Sequence, residues 1–184
     1  MKTPDHWTAC VTGASRGIGL AIAERLAPAC STMFIASKSK AKIQAARARL
    51  QAASRCRYHT YAGDLNKGRQ VGEGLKKLVA KQAGKLDLLV LDAGFYMEGG
   101  FGGLSDRDFE RYMRVNFMSA HYITTSLLPL LRKSGRARIV IIGSTAAYET
   151  SPELPTYSVT KWALRGYALN LRRVLMPEGI GVTY

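Results

Sequence analysis

The sequence predicts a doubly wound α/β fold, a mostly parallel sheet with helices on both faces. Short apolar runs rich in β-branched or aromatic residues recur along the chain, and the segments between them repeat apolar residues at helical spacing. Strand and helix therefore alternate. Alternation of this kind demands parallel strands joined by right-handed crossovers, which lay helices over both faces of the sheet. No internal repeat, low-complexity tract or linker breaks the pattern, so residues 1–184 read as one domain.

The first strand is expected at 8–12 (TACVT), followed by a helix carrying Ile18, Ile22 and Leu26. The second, at 32–36 (TMFIA), leads to a helix on Ile43, Ala46 and Leu50, and the third, at 58–62 (YHTYA), to one on Val71, Leu75 and Leu78. A fourth strand is expected at 86–91 (LDLLVL). The next helix is expected as one piece through Phe109, Met113, Phe117 and Tyr122, opened by a capping box of Ser105 and Asp108. The fifth strand, at 138–142 (RIVII), precedes a helix on Leu164, Leu171 and Leu175, and the sixth lies at 180–184 (IGVTY). Loop signals gather at 97–106 (MEGGFGGLSD) and 149–155 (ETSPELP). In open sheets of this kind ligands bind beyond the carboxyl ends of the strands.

Composition narrows the function. With 47% hydrophobic and 22% charged residues the chain is globular. The opening MKTPDHWTACVTG lacks a signal-peptide core and LLPLL at 127–131 is too short to cross a bilayer, so a cytoplasmic protein is expected. Cys10, Cys30 and Cys56 form no CxxC pair and read as reduced thiols, at least one of them in a buried strand; His6, His59 and His121 are scattered, so no metal site is expected. Twenty-seven Lys and Arg against 13 Asp and Glu give a net charge of +14. The cations are spread along amphipathic helices such as KSKAKIQAARARLQ, without the contiguous, aromatic-interleaved tract of a nucleic-acid grip. A nucleic-acid module therefore rests on charge alone. The excess favours anionic ligands, including dinucleotides and acidic carrier proteins.

Two local patterns carry chemistry. In YSVTK, residues 157–161, Tyr157 and Lys161 stand four apart in a helical stretch and share one face. A fixed ammonium beside a phenol favours the phenolate and makes the hydroxyl a usable acid or base. The first expected strand runs directly into TGASRGIG at 12–19, whose glycines Gly13, Gly17 and Gly19 permit a tight turn and close approach of a pyrophosphate to a helix N-terminus. The Gly-x-x-x-Gly-x-Gly spacing differs from the G-x-G-x-x-G dinucleotide fingerprint. It resembles the version used by the short-chain dehydrogenase/reductase family. Further along, LDAG at 91–94 keeps Ala93 and Gly94 of that family's Asn-Asn-Ala-Gly stretch but has Leu91 and Asp92 for the asparagines. VNF at 115–117, IGST at 142–145 and PTYSVTKWAL at 155–164 then follow in the family's order.

The resemblance covers nearly the whole chain and implies a Rossmann-type fold, hydride transfer between NADP(H) and a small carbonyl or secondary-alcohol substrate, and a homodimer or homotetramer. It implies Tyr157 as general acid/base, Ser144 as the group orienting the carbonyl, Lys161 as partner of the phenol and of the ribose hydroxyls, and Asn116 as holder of a water that connects Lys161 to solvent. It implies cofactor contacts from Gly13, Ser15, Arg16, Gly17, Ile18, Gly19, Lys38, Asp64, Leu65, Ala93 and Gly94, with Tyr157 and Lys161. NADP(H) is expected over NAD(H) because IASKSK places Ser37 and Lys38 where NAD-preferring members carry an acid, and Arg16 can approach the same 2′-phosphate; Asp64 would meet the adenine. In the family the second asparagine of Asn-Asn-Ala-Gly mainly supports the sheet, so Asp92 is expected to bear on local stability more than on chemistry. Family members continue past a sixth strand through a substrate-covering segment and a seventh strand. This chain is therefore expected to be truncated at the sixth strand, a poor catalyst alone. A dinucleotide-binding regulator without turnover is the alternative from another class.

Overall fold

The computed structural model describes residues 6–97, 102–149 and 153–184. The six expected strands form one sheet: β1 (Trp7–Thr12), β2 (Cys30–Ser37), β3 (Arg57–Ala62), β4 (Leu88–Leu91), β5 (Arg138–Ile141) and β6 (Gly181–Thr183). Their order is β3-β2-β1-β4-β5-β6 and every pairing is parallel. The chain steps outward from β1 to β3, then returns to lay β4 on the other side of β1. That reversal leaves a crevice between the carboxyl ends of β1 and β4, where a ligand fits without meeting a crossover.

Helices α1 (Gly17–Leu26) and α2 (Lys40–Ala53) cover one face; α3 (Gly68–Gln82), α5 (Ser119–Arg132) and α6 (Pro155–Leu175) cover the other. A short α4 (Asp106–Met113) precedes α5. Each central strand feeds both layers: Ala9 and Val11 of β1 pack with Ala23, Ile43 and Leu50, while Cys10 between them packs with Leu75, Ile123 and Leu127. Burial on both faces is why the strands read as near-continuous apolar runs. Cys10, Cys30 and Cys56 are buried free thiols.

Two expectations need correction. Ile18 does not belong to the buried stripe of α1; it is 63% exposed, and Gly19 and Ala23 carry the buried face. The helix turns its first residues toward the crevice, so its core contact is shifted by one position. The single helix expected through Phe109 and Tyr122 is α4, a π-turn at Arg114–Met118 and α5. One extra residue in the π-turn rotates the faces on either side, leaving Phe109 41% exposed while Tyr112 is buried. Ser105 does open α4: its hydroxyl accepts the Asp108 N–H at 3.2 Å and donates to the Asp108 carboxylate at 2.7 Å. The expected loops at 97–106 and 149–155 lie in part outside the described residues.

Opposite the crevice, at the amino ends of the strands, Asp87 is fully buried. It accepts the Thr8 N–H at 2.8 Å and the Ser134 hydroxyl at 2.5 Å, with Lys85 at 3.6 Å and Arg136 at 3.7 Å. Burial works against its charge, but these four partners outweigh it and hold the carboxyl below its ordinary 3.8. A depressed carboxyl pKa contributes stability that is present above the unfolded value and lost as pH falls through the folded one. Asp87→Ala is expected to cost about 2–3 kcal/mol at neutral pH, because it strands the buried Thr8 N–H while the two cations can return to water. Urea unfolding at neutral pH and near pH 3 measures this; an equal loss at both would show that the carboxylate charge is not the source.

Candidate active site

Thr12 ends β1 with its hydroxyl turned across the sheet, accepting the Asp92 and Ala93 N–H groups at 3.1 and 3.2 Å. This clamps the β4 exit to the β1 exit and sets the crevice floor. Gly13 then turns the chain with φ +74°, where a Cβ would lie 2.9 Å from Asp92 Oδ2 and 3.1 Å from the Ala93 backbone. At Gly19 a Cβ would meet the Gly13 carbonyl oxygen and Asp92 Oδ2, each at 2.7 Å. The turn is thus pressed directly onto the β4 exit, and α1 begins above it with no side-chain cap from Arg16 and no acid in its first turn. Its first N–H groups remain available as donors for an anion.

Two hollows share this turn. The first, about 290 Å³, is lined by Gly13, Ser15, Arg16, Lys38, Asp64, Leu65, Ala93 and Gly94. At its rim Lys38 Nζ stands 2.8 Å from Asp64 Oδ2, a pair that draws the Asp64 carboxyl down to about 2. Parallel register of β2 with β3 brings these residues together, since Ser37 pairs with Ala62. Arg16, on the same wall, makes no ion pair among the described residues. Arg111 and Phe95 close the hollow from the α4 side, the guanidinium 4.9 Å above the ring.

The second hollow, about 460 Å³, continues past Gly13, Arg16, Gly17, Ile18, Asp92, Ala93 and Gly94 to Tyr157 and Lys161. Both side chains leave the first turns of α6. Lys161 Nζ lies 5.6 Å from the centre of the Tyr157 ring and donates to the Ile142 carbonyl at 3.3 Å. Burial pushes its ammonium below the ordinary lysine range, against the pull of Asp92. The Tyr157 ring is held edge-on by Tyr96, centroids 6.0 Å apart.

Asn116 and Ser144 stand behind the walls of these hollows. Asn116, buried in the π-turn, does not back-bond to its own helix. Its amide accepts the Phe95 N–H and donates to the Phe95 carbonyl, both at 2.9 Å, replacing a strand neighbour for the segment after β4. Ser144 caps a single 3₁₀ turn, its oxygen accepting the Ala146 N–H at 3.2 Å. Tyr184 supports that segment, with its ring filling the space beside Gly143 and its hydroxyl donating to the Lys161 carbonyl at 3.3 Å. Thr12, Arg111, Phe95 and Tyr96 escape sequence reading because their roles come from strand order and from the π-turn.

Comparison with known proteins gives the arrangement a family. The description short chain dehydrogenase matches residues 7–184. The chain is 33% identical over 180 residues to the human mitochondrial dehydrogenase/reductase SDR family member 2, an alignment covering 95% of this chain and 61% of that protein. It is 29% identical over 170 residues to a 3-oxoacyl-(acyl-carrier-protein) reductase of Aquifex aeolicus, covering 92% of this chain and 68% of that one. Among solved structures, a dehydrogenase/reductase of Sinorhizobium meliloti 1021 superposes with a TM-score of 0.88 at 33% identity, covering 96% of this chain and 69% of its own. A metagenomic short-chain oxidoreductase in complex with NADP gives a TM-score of 0.88 at 25% identity, covering 95% of this chain and 78% of its own. This chain therefore spans less than two thirds of the human relative and a larger share of the others. With the family description matching all but its first six residues, the chain belongs to the short-chain dehydrogenase/reductase family.

Proposed function

We propose that the chain forms the cofactor-binding and catalytic part of an oxidoreductase that uses NADP(H) to interconvert a small carbonyl compound and a secondary alcohol. The observation that carries this reading is the continuity of the two hollows: a cationic one beside β2 and one holding Tyr157 and Lys161 share the glycine turn. The fit to a dinucleotide rests on the Cβ-free approach at Gly13 and Gly19 and on the uncapped start of α1. Gly13, Ser15, Gly17 and Ile18 would hold the diphosphate, Arg16, Lys38, Asp64 and Leu65 the adenosine end, and Ala93, Gly94, Tyr157 and Lys161 the nicotinamide end.

A bound nicotinamide supplies or accepts a hydride; the chain's own residues manage the proton. Tyr157 gives its hydroxyl proton to the substrate oxygen during reduction and takes it back during oxidation. Lys161 stabilises the phenolate left behind, and Ser144 steadies the carbonyl from the β5 exit. Asn116 fixes the Phe95 segment and carries the role of water holder implied by the family. A homodimer or homotetramer, and an acidic carrier delivering the substrate to this basic surface, belong to the same reading. A panel of carbonyl substrates with NADPH and NADH, followed by nicotinamide absorbance, tests it. Cofactor binding without turnover on any substrate would favour a regulator.

The NADP(H) preference has its own test. Lys38 already shares its charge with Asp64 at 2.8 Å, so Arg16 is the less committed cation for a 2′-phosphate. Arg16→Ala is expected to weaken NADP⁺ binding about tenfold or more and leave NAD⁺ nearly unchanged, the loss of one charge-assisted contact. Lys38→Ala is expected to do less. Calorimetric titration of both nucleotides decides, and an equal loss for each would remove Arg16 from 2′-phosphate recognition.

A further inference from the structure

Asp92 stands where the family pattern has an amide, and the fold puts its carboxylate directly beneath the glycine turn. Oδ2 lies 2.7 and 2.9 Å from the Cβ positions of Gly19 and Gly13. The nearby Gly19 N–H favours the charged form of this carboxylate. Gly19 belongs to the first turn of α1, a helix with no side-chain cap and no acid of its own there. The carboxylate therefore sets a negative charge against the positive end of the helix, beside its orphan donors. Those are the two features that draw a diphosphate to a helix N-terminus. An internal anion has claimed part of the site meant for an external one.

The charged and titratable groups around it are few. From α6 it faces Lys161 and Tyr157, from the glycine turn Arg16, and from its own segment Tyr96; the β5 exit contributes only Ile142 and Gly143. Asp92 is the sole carboxylate among the described residues lining this hollow, and no ion pair within 4.0 Å joins it to Lys161. Burial raises its carboxyl above the ordinary 3.8, opposed by Lys161 and the Gly19 N–H.

We infer that Asp92 is a specificity residue acting on the dinucleotide: its ionised form weakens binding at the glycine turn, its protonated form relieves the penalty, and affinity falls as pH rises through its titration. The inference rests on the dinucleotide reading of the two hollows. An asparagine here would offer an amide oxygen at the same place without carrying charge. Repulsion between like charges across this turn at a partly solvated surface, tempered by Lys161, corresponds to about tenfold in affinity.

The test titrates NADP⁺ into the wild type and Asp92→Asn by calorimetry near pH 5 and near pH 8. The variant is expected to bind about tenfold tighter near pH 8, with a smaller advantage near pH 5. The ligand's own phosphate titrates in this window, so the two proteins are compared at each pH with the same ligand. Equal or weaker binding by the variant near pH 8, or an advantage independent of pH, would reduce Asp92 to a cap on α1 and overturn the inference. Should Asp92→Asn fail to fold, NAD⁺ with the wild type decides: affinity is lower near pH 8 than near pH 5 on this inference, and a flat profile rejects it. Absence of binding by either nucleotide at either pH would instead sink the dinucleotide reading itself.

Discussion

Tyr157→Phe is expected to lower turnover roughly a thousandfold while cofactor affinity stays within about twofold of the wild type. The substitution removes one oxygen and one proton and keeps the ring. That ring has its own supports, Tyr96 edge-on at 6.0 Å and Lys161 Nζ at 5.6 Å, so the walls of the hollow should not move. The dinucleotide end of the site is built from the glycine turn and the β2 and β3 exits, none of which the hydroxyl touches. Single-turnover rates with NADPH and a reactive carbonyl substrate, beside calorimetric NADP⁺ affinities, separate the two effects. Retention of more than about a tenth of the activity would mean that the proton comes from elsewhere, and the mechanism proposed for Tyr157 would fall.

The sequence showed the fold clearly wherever a residue's surroundings are set by its near neighbours. Alternating strand and helix patterns located all six strands within two residues at each end, because buried parallel strands must be apolar throughout. The glycine turn and the pairing of Tyr157 with Lys161 were equally legible, since both depend on spacing within one loop or one helical turn. What depends on strand order was not. Lys38 and Asp64 form an ion pair at 2.8 Å because β2 and β3 run side by side in parallel register, and nothing between positions 38 and 64 announces it. Asp92 reads as a local departure from an amide pattern, yet its carboxylate is pressed against Gly13 and Gly19 only because β4 returns beside β1. The π-turn left one trace: the expected apolar series steps by four from Phe109 to Met113 to Phe117, then by five to Tyr122. That extra residue is what lets Asn116 face Phe95.

Lys161→Met is expected to damage both halves of the site and yet to leave the protein as stable as before or more so. Lys161 is only 7% exposed, and among the described residues its ammonium has one hydrogen bond, to the Ile142 carbonyl at 3.3 Å. Burial depresses its pKa, so the folded protein carries a cost for keeping this group charged at neutral pH. A lowered lysine pKa means that the unfolded chain binds the proton more tightly, and stability rises as pH passes upward through the folded value. Methionine fills much the same volume without the charge and removes that cost, worth about 1 kcal/mol, or some 2–4 °C in Tm. Function should move the other way. Without the ammonium the phenolate of Tyr157 loses its nearest cation, and turnover should fall roughly a hundredfold or more. Asp92 is left in the hollow with no positive charge on the α6 side, so NADP⁺ affinity near pH 8 should fall about tenfold. Adding Asp92→Asn to Lys161→Met removes the uncompensated carboxylate and should restore most of the affinity but none of the turnover. Such a split would assign the binding defect to charge at Asp92 and the rate defect to Tyr157. Failure of the double variant to recover affinity would mean that the loss comes from Lys161's own contact with the nicotinamide end and that its balance with Asp92 is unimportant.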